Sequence, residues 1–84
     1  MKTLALQKIE ERRTFVLKRI KHRAIQYNNG EISFEDFIDY KKDYETQFRG
    51  YVRAFWDIEV LTDEERERII NQFNFDVLEL KKEI

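Results

Sequence analysis

FEDFIDYKKDYETQFRGYVRAFWDIEVL, residues 34–61, decides the fold. It holds eight of the chain's twelve aromatic side chains: Phe34, Phe37, Tyr40, Tyr44, Phe48, Tyr51, Phe55 and Trp56. Phe34, Phe37, Tyr44, Phe48, Tyr51, Phe55 and Ile58 keep a three-four spacing broken only at Lys41. At about 100° per residue they share one helix face, and Ile38, Tyr40, Val52 and Trp56 widen it to about 160°. The spacing therefore predicts one long helix from Phe34 to Leu61. So wide an apolar arc needs two partners, one on each flank. Gly50 falls near the opposite, polar face, and a mid-helix glycine costs about 1 kcal/mol relative to alanine. It is read as a tolerated residue on a long surface, or else as a bend or a close approach from outside.

Upstream, residues 2–27 have the same period. Leu6, Ile9, Val16, Leu17, Ile20, Ala24 and Tyr27 lie within about 100° of arc, interrupted by Arg13, whose charged end is expected to reach out to solvent. Leu4, Phe15, His22 and Ile25 lie off this stripe. Asn28-Asn29-Gly30 closes the first helix, because Asn and Gly accept the left-handed conformation of a helix end. Ser33 then caps the next helix ahead of Glu35 and Asp36, and Ile32 and Phe37 are spaced for a hydrophobic staple. A connection this short makes the two helices antiparallel neighbours.

Downstream, Thr62-Asp63-Glu64-Glu65 is a capping box. The third helix that follows places Ile69, Ile70, Phe73, Val77, Leu80 and Ile84 on one face. Phe75 and Leu78 lie off it, so the helix either breaks near Asn74 or meets a second surface. A short strand through Phe73, Phe75 and Val77 is disfavoured because it has no partner strand. The prediction is an all-α three-helix bundle: a long antiparallel hairpin plus a shorter C-terminal helix, one domain over residues 1–84.

Composition narrows the function classes. The chain has no cysteine, no proline and two glycines, which excludes disulfides and thiolate metal sites and favours helix. Its first residues contain no apolar run of signal-peptide or membrane-span length, and a soluble cytoplasmic protein with no membrane contact is expected. At 84 residues it buries only roughly 60–65% of its unfolded surface. The apolar arc and the leftover Phe15, Phe75 and Leu78 exceed what three helices hide, so a symmetric homodimer is expected.

Net charge is −1, but the charges are segregated. The first 24 residues carry Lys2, Lys8, Arg12, Arg13, Lys18, Arg19, Lys21 and Arg23 against Glu10 and Glu11 alone. Residues 25–48 carry Glu31, Glu35, Asp36, Asp39, Asp43 and Glu45 against Lys41 and Lys42, and residues 61–84 carry seven acidic groups against four basic ones. Such opposition means internal pairing, the plainer reading, or a basic binding face.

Recognised chemistry is missing from the motifs. Registering Gly30 on the glycine of a calcium-binding loop puts Ile25 and Tyr27 at the first and third ligand positions and Asp36 at the twelfth. The converging side-chain oxygens such a loop needs are not there. Glu35, Asp36, Asp39 and Asp43 lack the Glu-x-x-His pattern of bundle metal sites and are read as a solvated face or as partners of the first helix. His22, the single histidine, has no partner at a recognised catalytic spacing. The chain is expected to be no enzyme, with no cofactor and no small-molecule substrate.

What remains is the outer face of the first helix: Lys8, Arg12, Phe15, Arg19, His22 and Arg23. Arginine beside an exposed aromatic is the composition of protein interface anchors. The expected function is that of a small protein-binding adaptor or inhibitor of a larger protein, one version being a virus-encoded inhibitor of a host enzyme or defence system. The alternative is a nucleic-acid-binding regulator that uses this basic face. Against it stand the net charge and the lack of a helix-turn-helix signature.

Overall fold

The computed structural model describes residues 1–82, which form α1 (Lys2–Asn28), α2 (Phe34–Asp57) and α3 (Asp63–Lys82). This is the expected small all-α bundle, a long hairpin followed by a shorter helix. Ile84 lies outside the described residues.

Each helix end has a local chemical cause. At the end of α1 the Glu31 amide donates to the Gln26 carbonyl at 2.8 Å and the Gly30 amide to that of Tyr27 at 3.0 Å. This double bond pattern around a left-handed residue is a Schellman closure, and Gly30 supplies the positive φ of 77°. Ser33 caps α2 by accepting the Asp36 amide on its Oγ at 3.0 Å. The capping box of α3 is complete: the Glu65 amide donates to Thr62 Oγ1 at 3.1 Å, and the Thr62 amide to Glu65 Oε1 at 2.9 Å.

One sequence expectation about helix extent is corrected, and one open alternative is decided. α2 stops at Asp57 rather than running to Leu61. Val60 donates to the Phe55 carbonyl and Glu59 to that of Trp56, both at 3.0 Å, a second Schellman closure with Glu59 at φ 63°. Leu61 is apolar because it is buried in the connection, at 3% exposure, not because it continues the helix. α3 runs unbroken through Asn74. Phe75 and Leu78 lie on its outer side and are more than half exposed.

The core joins Ile9, Val16 and Ile20 of α1, Phe48 and Val52 of α2, Leu61, and Phe73 and Val77 of α3. Phe48 and Phe73 are fully buried and stacked, with ring centroids 4.3 Å apart. On α1 the buried stripe includes Ala5, which the periodicity left out. Leu6 and Tyr27, which it put in, are 40% and 39% exposed. Arg13 does not reach freely into solvent. It is half-buried and bridges helices, paired with Glu10 on its own helix and with Asp76 on α3.

The three helices run in step. Arg12 lies against Tyr51 and Arg23 against Tyr40, so eleven residues up α1 match eleven residues down α2. Lys2 pairs with Glu65 and Arg13 with Asp76, so α3 rises alongside α1 with a constant offset. By that offset its last described residue, Lys82, is level with Arg19. Among the described residues the last two turns of α1 and the start of α2 thus extend beyond α3 as a two-helix tip. Tyr27, Phe34, Ile38 and Tyr40 are all partly exposed there. The long dimension of the molecule is 43 Å against 19 and 18 Å across.

Candidate functional site

The sequence-predicted residues lie on α1, on the side that borders α2 and faces away from α3. Arg12 and Arg19, seven residues and two turns apart, converge on the Phe15 ring between them. Their guanidinium carbons stand 5.7 and 5.1 Å from its centroid. Arg12 also stacks on Tyr51 of α2 at 4.9 Å. Lys8, Glu11, Arg12, Phe15 and Tyr51 line a shallow depression of about 360 Å³. Phe15 is 45% exposed: α3 does not cover it.

The two remaining predicted residues do not join this cluster. Arg23 is half-buried and turned to the tip, its guanidinium 3.8 Å from the Tyr40 centroid, and it donates to Gln26 Oε1 at 3.0 Å. His22 is exposed and takes no part in the arginine–ring stacking. The site therefore contracts to Lys8, Arg12, Phe15 and Arg19. It gains Tyr51, and Tyr40 beside Arg23, which periodicity assigned to the core wall. The signal that finds both tyrosines is the in-step register of an antiparallel hairpin.

Some cations of the surface are compensated and others, those of this face included, are not. Lys2, Arg13, Lys41, Arg49 and Arg53 each have a carboxylate partner. Lys41, the break in the α2 stripe, reaches Glu45 Oε1 at 2.6 Å, and Arg49 donates both to Glu45 and to Asn74 Oδ1. Among the described residues Lys8, Arg12, Arg19 and Arg23 have no carboxylate within the 4.0 Å of an ion pair. Stacking on a ring holds a guanidinium flat and leaves its N–H edge free, a geometry suited to a carboxylate or phosphate.

The carboxylates of α2 do not compensate them. Glu35, Asp36, Asp39 and Asp43 are exposed and form no ion pair with α1 among the described residues. Internal pairing, the plainer expectation, is met on the side of α3, where Lys2 pairs with Glu65 and Arg13 with Asp76, while the α2 run forms the solvated face that was its other reading. Among the described residues no three His, Asp or Glu side chains converge as a metal site, and no helix is long and apolar enough to cross a membrane. Comparison with protein-family models, curated proteins and solved structures finds no match.

Proposed function

We propose that this chain is a non-enzymatic, cytoplasmic binding protein that occupies an acidic surface of a larger protein, as an adaptor or inhibitor, through Lys8, Arg12, Phe15 and Arg19. The observation that carries this reading is the pair of uncompensated guanidinium groups held against one exposed aromatic ring. Arginine and aromatic residues dominate interface hot spots. Here the rings reduce the arginines' freedom before a partner arrives, which lowers the ordering cost of binding.

Affinity capture from the native cell tests it, using the wild-type chain, Phe15→Ala, and Arg12→Glu with Arg19→Glu. The partner is the protein held by wild type and lost with the double charge reversal. Phe15→Ala is expected to weaken it by roughly 1–3 kcal/mol. Equal capture by all three chains moves the interface elsewhere.

The same uncompensated cations favour a second reading, a nucleic-acid-binding regulator. Four phosphate contacts give a salt slope near −3.6, hence a loss of about a hundredfold in affinity from 50 to 200 mM salt. Against it, the neighbouring carboxylates of α2 and the net charge of −1 repel a polyanion. A titration at about 50 mM salt that shows no DNA or RNA binding removes this reading.

A further inference from the structure

The fold holds two surfaces of opposite, unpaired charge and keeps them from meeting. One is the basic stripe of α1, from Lys8 to Arg19, about 16 Å long at 1.5 Å per residue. The other is the acidic start of α2, from Glu35 to Asp43, about 12 Å long. At 100° per residue Glu35, Asp36, Asp39 and Asp43 fill a single arc of about 100°. By the hairpin register this arc lies at the level of the last turns of α1, at the hairpin tip, and the basic stripe lies below it. Within one molecule the two stand at different heights on different helices, and no ion pair connects them among the described residues.

Each charged surface also borders exposed apolar groups. Phe15 and Leu4 accompany the basic stripe, at 45% and 56% exposure, and Phe34 and Ile38 the acidic one, at 56% and 37%. They are comparable in length, alike in their apolar fringe and opposite in sign.

We propose that a second copy of the chain joins them: the basic stripe of one molecule docks on the acidic hairpin tip of the other. Made reciprocally, the contact occurs twice and closes as a two-fold dimer. The inference rests on reading the α1 stripe as a docking face, and it adds the acidic tip as the complementary half. Since the stripe is shared, self-association and capture of a larger acidic protein are mutually exclusive, and the dimer is the stored form of the binder.

Sedimentation equilibrium of the full chain tests this. Screening shortens from about 10 Å at 0.1 M salt to about 3 Å at 1 M, so the dimer mass expected at 0.1 M and high micromolar protein should give way to monomer, with Kd raised at least tenfold. Arg12→Glu with Arg19→Glu is expected to be monomeric, as is Asp39→Lys with Asp43→Lys, which lies beyond the first turn of α2 and spares its cap. Mixed one to one, the two reversed chains restore both contacts and return the dimer mass. A wild-type monomer at 0.1 M salt, reversed chains that self-associate as wild type does, or a mixture that stays monomeric overturns the proposal. A monomeric wild type that still captures a larger protein through Arg12 and Arg19 sinks the dimer and leaves the binding reading standing.

Discussion

Gly50 is a substitution site whose sign is fixed by the structure. It lies within α2 on the polar side, has no positive φ, and a Cβ added there meets no atom within 4 Å. Gly50→Ala therefore gains helix propensity with no steric cost to subtract, about 0.8–1.0 kcal/mol. An unfolding entropy near 2.1 cal/mol/K per residue converts this to a rise in Tm of roughly 4–6 °C for a chain of this size. With m between about 1 and 3 kcal/mol/M the urea midpoint rises by about 0.3–1 M at unchanged m. Thermal and urea unfolding followed by circular dichroism read both. An unchanged or lowered Tm refutes the reasoning: it would mean that α2 bends at Gly50, or that another molecule approaches the backbone there. Those were the alternatives open from sequence.

Gly30→Ala should have the opposite sign. Open space surrounds it too, but its φ of 77° costs an L-residue about 1 kcal/mol, so a Tm drop of several degrees is expected and a rise would contradict the closure described for α1. Phe73→Ala empties the stack on Phe48 and should cost about 3–5 kcal/mol in urea unfolding, a large share of the roughly 4–13 kcal/mol a chain of this length commands; a loss under 1 kcal/mol would mean that α3 is not seated on the core. Acid sensitivity follows from Glu10, held below the usual carboxylate range by the Arg13 guanidinium, and from Glu65, lowered by the Thr62 amide and by Lys2. Their stabilisation is complete above the unfolded carboxylate pKa of about 4.3 and is lost as pH falls through the lowered values. Stability should be flat from pH 7 to 5 and decline below about 4, and Glu65→Gln, which keeps the capping geometry, should soften the decline. Acid unfolding midpoints identical in the two chains would remove the Glu65 contribution.

The helices were legible because their signals are local. Ser33, Gly30 and the Thr62–Glu65 box each act within four residues, and each is found in the role its chemistry suggests. The end of α2 was not legible, because Glu59 takes a left-handed φ that non-glycine residues rarely adopt. Leu61 meanwhile continues the apolar count while serving the core from outside the helix. Ala5 escaped because a small side chain adds little to a hydrophobic pattern, although it is 3% exposed. For the candidate face, Lys8, Arg12, Phe15 and Arg19 were readable from one helix alone. Tyr51 and Tyr40 were not, since their role depends on the register between helices. Arg13 and Asp76 show the same limit: an ion pair across 63 residues has no periodic signature.

Among the described residues α3 stops level with Arg19, short of the tip, and this stagger has a consequence for motion. Backbone amides flanked by three helices open only with much of the molecule, whereas those held by a two-helix layer open in smaller, cheaper events. Hydrogen exchange should therefore be slowest around Val16, Phe48, Val52 and Phe73, and quicken beyond the level of Arg19. The chain would breathe at one end. The acidic tip is thus the region able to adjust its shape to a neighbour, while the arginine stripe beside the rigid half stays fixed.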